Sequence, residues 1–307
     1  MSEVLFQVLP FFALIGIGAA AGASGMFDAG AGRVLTDFVF YFALSALLFR
    51  FAAGLDLAAL FDWRVIGAYA SASLVVYALA FTVAARRGVG LSERAVEAQC
   101  AVVGNVGFLG LPMLTMLMGE AAALPILQVL TVDLLLFAAL IVTLFSIDRE
   151  GRVTPRTLLR VGGALVRNPM LVAIFAGFAW AATGVAVPGP LSDVLRLLGD
   201  AATPGALFAI GVSLARKSAE RLSVASWLSA CKLGLHPLCV AVAVFVLFPV
   251  PSEAAKVIVT TAALPVAGNV FILAQSYDVA PQRVSTAILV STIVSIATLT
   301  ATLALTA

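Results

Sequence analysis

The chain has 307 residues, of which 62% are hydrophobic and 11% charged, with a mean hydropathy of +1.12. Soluble domains carry about 25% charged residues, so this composition excludes a soluble enzyme or binding module and defines an all-α membrane protein whose first partner is the lipid bilayer. The formal net charge of +2 gives no basis for a nucleic-acid partner.

In chain order, apolar runs occupy residues 4–21, 38–55, 65–84, 95–118, 123–145, 170–187, 200–215, 225–247, 254–276 and 284–305. About 20 residues at 1.5 Å each cross a ~30 Å hydrocarbon core, so these runs predict ten spans. The seventh is short and carries Pro204, and the second carries Arg50 near one end. No basic residue precedes the first run, Arg33 being the first positive one, so that run reads as a retained span rather than a signal peptide.

Basic residues alternate in placement. Arg33; Arg86, Arg87 and Arg94; Arg149, Arg152, Arg156, Arg160 and Arg167; Arg216, Lys217 and Arg221; and Arg283 follow spans 1, 3, 5, 7 and 9. Arg50, Arg64, Arg196 and Lys256 fall on the other side. The positive-inside rule then puts the odd-numbered loops in the cytoplasm and both termini outside it, in the plasma (inner) membrane.

The longest polar connection is basic and divides the chain into residues 1–146, a cytoplasmic linker at 147–168, and residues 169–307. Span starts in the second part repeat those of the first at a shift of about 160 residues. Five spans per half is an odd number, so the halves enter the membrane from opposite faces as two inverted five-helix repeats.

Spans 4 and 9 are broken at matching places: Gly104-Asn105-Val106-Gly107-Phe108-Leu109-Gly110-Leu111-Pro112, and Leu264-Pro265-Val266-Ala267-Gly268-Asn269. Backbone groups freed at membrane depth cost several kcal/mol unless protein or an aqueous cavity satisfies them, which points to a site buried between helices. Pro112 and Pro265 are expected to open the second half-helices. The positive end of such a half-helix attracts an anion. Asn105 and Asn269 add neutral donors, while Gly104, Gly107, Gly110 and Gly268 allow close backbone approach. The bland alternative is helix kinking with tight packing.

Charged residues inside spans are few, and Lys232, His236 and Asp133 carry the most weight. Lys232 and His236 are four apart on one helical face, with Pro237 next. Lys232 either counters a substrate charge or snorkels towards the cytoplasm. His236, with an unperturbed pKa of ~6.5, serves either a hydrogen-bonded structural role or proton relay. Asp133, near Gln128 and Thr131, either pairs with a cation, stays protonated, or takes part in proton or cation coupling.

Thr286, Ser291, Ser295, Thr298 and Thr302 form a hydroxyl stripe on span 10, read as a packing face towards span 5, and Gly18 with Gly22 reads as a packing motif in span 1. Cys100, Cys231 and Cys239 lack metal-ligand spacing and read as small buried hydrophobes, so no metal or cofactor is expected.

These motifs together resemble the auxin efflux carrier family, which includes plant PIN proteins and bacterial carriers described as malonate or malate transporters. The matching stretches are GNVGFLGLPML at 104–114, RNPMLVAIFAGF at 167–178, ATPGALFAIGVSLA at 202–215, KLGLHPL at 232–238, ALPVAGNVFILAQSY at 263–277 and STAILVSTIVSIATL at 285–299. The resemblance implies the fold of bile-acid-type symporters. Spans 1, 2, 6 and 7 form a scaffold that often dimerises, spans 3–5 and 8–10 form a transport domain, and broken spans 4 and 9 cross. A substrate carboxylate binds beside the crossover, with Asn105 and Pro112 matching its first motif and Pro265 its second. Asn269 falls where that motif varies. Ser45 departs from a proline common in span 2, which implies a straighter scaffold helix.

Three readings of function are weighed. The leading one is a secondary carrier of small organic anions such as malonate, malate or auxin-like acids, working by alternating access as an elevator. A sodium-coupled organic anion symporter and a non-transporting receptor are the alternatives. Catalysis is not expected: Asp133 lacks the second membrane aspartate of an aspartyl protease, and a GxSG-type nucleophile motif is absent.

Overall fold

The computed structural model describes residues 2–55, 57–153, 155–215 and 222–306; Arg216, Lys217 and Arg221, three of the basic residues used to orient the chain, lie outside them. The helices are α1 (Ser2–Ala23), α2 (residues 29–53), α3 (Trp63–Arg86), α4 (Leu91–Val102), α5 (Val106–Met118), α6 (Glu120–Glu150), α7 (Pro155–Val166) and α8 (Pro169–Ala181). They continue with α9 (Gly189–Asp200), α10 (Ala202–Leu214), α11 (Leu222–Leu247), α12 (Ser252–Ala262), α13 (Gly268–Tyr277) and α14 (Pro281–Thr306). Six segments of the described residues are long and apolar enough to cross a membrane: Gly30–Ala53 in α2, then α3, α6, α9 with α10, α11 and α14. The protein is an integral all-α membrane protein.

Local chemistry sets the boundaries. The Asp28 carboxylate accepts from the Ala31 amide at 2.7 Å, Asp62 from Arg64 at 2.9 Å, and the Asn168 side chain from Met170 at 3.0 Å with Pro169 at the first helical position. Each supplies an acceptor to a helix start that lacks one. Gly151, at φ +72°, ends α6 in the left-handed conformation that glycine adopts without strain.

Two sequence boundaries are corrected. The run at 170–187 yields a helix only to Ala181, followed by a turn through Gly184. The seventh segment is longer than hydropathy suggests, because amphipathic α9 runs on into α10 as Gly189–Leu214. Its Asp193, Arg196 and Asp200 lower the windowed hydropathy without interrupting the helix. The connection at 147–168 holds a helix, α7.

Wide π turns interrupt several helices; three of them end two residues before a proline, one of these being Ala243–Leu247 before Pro249, whereas Asp133–Phe137 has no proline there. Val106–Gly110 precedes Pro112 and Cys231–Leu235 precedes Pro237, in each case with proline two residues after the turn. Proline has no amide to donate, and an i→i+5 turn absorbs the resulting register gap. In α2 the turn Val39–Ala43 is followed at the same offset by Ser45, whose hydroxyl donates to the Phe40 carbonyl at 3.2 Å. The wide turn is thus present with serine at this position.

α1 packs on α10, and α2 on α8 and α9. The first contact depends on glycine: a Cβ at Gly18 would overlap the Phe208 carbonyl, and one at Gly211 the Ile15 carbonyl. Separately, α3 packs on α4 and α11, and α4 on α6. The hydroxyl face of α14 does not find the expected partner. Its main contacts are α11, α1, α12, α13 and α4 rather than α6, and Ser295, Thr298 and Thr302 donate back into α14 itself. A hydroxyl that satisfies itself on the preceding turn has no need of a neighbouring helix.

Candidate functional site

The two broken stretches meet. Gly104 and Val266 form an antiparallel bridge, with the Asn105 amide donating to the Pro265 carbonyl at 2.8 Å and the Ala267 amide to the Val103 carbonyl at 3.1 Å. Each break therefore satisfies backbone groups of the other at a depth where water is scarce. The Val266 amide is taken up by the Ser291 hydroxyl of α14 at 3.1 Å, and that hydroxyl in turn donates to Ile288.

Asn105 precedes α5, and its carbonyl accepts from Leu109 at 3.1 Å and Gly110 at 2.9 Å. The amides of Gly107 and Phe108 sit in the first turn, where a helix offers no internal acceptor. α13 begins at Gly268, with Asn269 its second residue and the Asn269 Oδ1 buried without a partner. Pro112 stands in the first turn of the α-helical stretch Leu111–Met118, as expected for a half-helix start, whereas Pro265 does not open a helix: it lies in the extended break, where its carbonyl serves the bridge. The constraint on φ suits an extended segment as well as a helix start.

Lys232 does not snorkel. It is fully buried, its ammonium donates to the Ala262 carbonyl at the end of α12, and it lies 3.3 Å from His236 Nδ1. A cation on the last carbonyls of a half-helix matches the negative end of its dipole. The same side chain abuts the first break, since a Cβ on Gly104 would stand 3.2 Å from Lys232 Nζ and 3.3 Å from its Cε. On its other ring nitrogen, His236 Nε2 is 2.8 Å from the Ser73 hydroxyl, and its ring lies 5.7 Å from that of Tyr69.

Asp133 opens a wide turn in α6, buried, with Oδ1 accepting from the Tyr69 hydroxyl at 2.9 Å and Oδ2 without a partner. One polar cluster thus joins α3, α6, α11 and the α12 terminus beside the bridge. Of the residues singled out in the sequence, Gly104, Asn105, Pro265 and Lys232 come together directly, with His236 and Asp133 behind them. Gly107 instead faces Met170 of α8, where a Cβ would overlap the methionine methyl.

Sequence reasoning missed Tyr69 and Ser73, whose four-residue spacing on one face of α3 was the available signal. It also missed Glu97, a carboxylate inside the fourth apolar run. Glu97 is buried between Arg87 and Arg283, the latter at 2.6 Å. Arg283, read as a loop residue, is itself buried in the first turn of α14 and reaches Glu93 at 3.4 Å.

A bundle of apolar helices enclosing paired backbone breaks, with amides and a buried cation converging on them, defines a membrane transporter rather than an enzyme. Residues 3–303 match the family model described as "Membrane transport protein", and the chain belongs to that family, the auxin efflux carrier family. It is 29% identical over 304 residues to a protein of Rhizobium meliloti (strain 1021) named "Putative malonate transporter", covering 98% of this chain and 95% of that one.

Proposed function

We propose that the protein is a secondary carrier of small organic anions, with carboxylates of the malonate and malate class as the first substrates to test. The observation that carries this reading is the Gly104–Val266 bridge, which brings the breaks before α5 and α13, each with its asparagine, together beside a buried lysine. Neutral amides and helix ends bind an anion and still release it, which a fixed contact ion pair does less readily. The name of the R. meliloti relative supports the same substrate class.

In this reading the chain has ten spans in two inverted repeats, residues 1–146 and 169–307. α1, α2 and α8–α10 form the scaffold, supported by the separate packing of α1 on α10 and of α2 on α8 and α9. The remaining spans move with the crossover as an elevator. Met170 of α8 against Gly107, and Phe40 of α2 stacked on Phe108 with centroids 6.1 Å apart, are the scaffold contacts that such movement must break. A homodimer through the scaffold, cytoplasmic odd-numbered loops and inner-membrane residence belong to the same proposal.

Asp133 and His236 are the coupling candidates. The partnerless Asp133 Oδ2 favours a proton or sodium ion over uncoupled transport. Uptake of labelled malonate, malate and indole acetate into proteoliposomes under imposed pH, sodium and voltage gradients tests the proposal. Stimulation by one gradient, lost in Asp133→Asn, supports it, and binding without flux under every gradient replaces it with a receptor.

A further inference from the structure

The helix between the two halves, α7, divides into three faces. At about 100° per residue, Thr157, Val161 and Leu165 fall on one arc, and these are the buried or half-buried positions facing α6 and α8. Leu158, Leu159 and Val166 fall on the next arc and are 67%, 77% and 71% exposed. Arg156 and Arg160 occupy the third arc, both exposed, with Arg160 paired to Glu150 at 2.5 Å. Exposed Arg149, Arg152 and Arg167 stand at either end.

An apolar ridge left bare beside a basic ridge is the pattern of a helix lying in the membrane plane, with its aliphatic side among acyl chains and its arginines at headgroup level. Arg152, Arg156 and Arg167 select the charge of those headgroups, while Arg149 donates to the Tyr277 carbonyl and Arg160 pairs with Glu150. We propose that α7 is an interfacial anchor that binds anionic phospholipid, ordering the connection between the two halves on the leaflet surface. The inference is independent of which solute the crossover carries.

The test uses full-length protein carrying Leu159→Cys and Cys239→Ala, labelled with a fluorophore; Cys100 and Cys231 are buried and stay unlabelled. It is reconstituted into phosphatidylcholine vesicles containing a minor share of nitroxide-labelled phosphatidylglycerol or nitroxide-labelled phosphatidylcholine. The expected result is quenching by both lipids, stronger with phosphatidylglycerol. Each of Arg152→Gln and Arg156→Gln should reduce that preference by about fivefold, without changing quenching by phosphatidylcholine. Quenching by aqueous iodide with none by lipid would overturn the proposal, since the apolar ridge would then be wet, and quenching by neither would overturn it too, since the ridge would then be covered by protein. Equal quenching by the two lipids would overturn its anionic selectivity.

Discussion

The amide of Asn105 donates to the carbonyl of Pro265 across 2.8 Å, joining two segments 160 residues apart in sequence at the point where both leave helical conformation. Their neighbours Gly104 and Val266 are bridged, and Lys232 fills the space against Gly104. Gly104→Ala places a methyl group against the lysine, whose end must shift by a few tenths of an ångström where it serves the Ala262 carbonyl. The expected outcome is a folded protein with reduced transport and a stability loss of about 1–3 kcal/mol. Thermal unfolding in detergent alongside flux in vesicles checks both.

Lys232→Met keeps the length and apolar stem of the side chain but leaves the Ala262 carbonyl and His236 Nδ1 without their donor or neighbour. Loss of a partner by a buried polar group costs about 1–3 kcal/mol. The variant should unfold at lower temperature and lose malonate binding, measured by calorimetry on the same preparation. Unchanged stability would remove the helix-capping role.

Ser291 and Ser295 provide a paired comparison on one helix. Ser291→Ala strips the Val266 amide of its acceptor, whereas Ser295→Ala removes only a bond to Thr292 within α14. The first should cost about 1–3 kcal/mol and slow transport; the second should leave both near the parent value. Denaturant titration of the two variants distinguishes them.

Glu97 and Arg283 are both buried and joined at 2.6 Å. Glu97→Gln leaves Arg283 largely uncompensated and should destabilise by about 3–5 kcal/mol, as broken buried pairs do. Glu97→Gln combined with Arg283→Met should be less destabilising than the sum of the single changes, with a coupling of about 0.5–3 kcal/mol in a double-mutant cycle.

The breaks are legible in the sequence because a helix facing lipid cannot leave its backbone open, so Gly, Asn and Pro clustered at membrane depth mark a protein-lined interior. Lys232 and His236 are legible because a four-residue spacing fixes a shared face. What lies beyond the sequence is long-range, or local in ways that composition hides. Tyr69 and Ser73 acquire their roles only when α3 meets Asp133 and His236. Pro265 suits a helix start or an extended segment equally well, and only the Asn105 amide on its carbonyl decides between them. Glu97 is visible as a carboxylate in an apolar run, but its pairing is not, because its arginine partners come from the end of α3 and the start of α14. The hydroxyls of α14 suggest a helix interface, but most of them bond to their own backbone.

The central claim is that the crossover itself binds the anion. Labelled malonate uptake into proteoliposomes by the parent and by Asn105→Ala, matched for folded protein, tests it most directly. Losing hydrogen bonds to a charged ligand should reduce uptake at subsaturating malonate by about tenfold or more. Uptake equal to the parent would contradict the account.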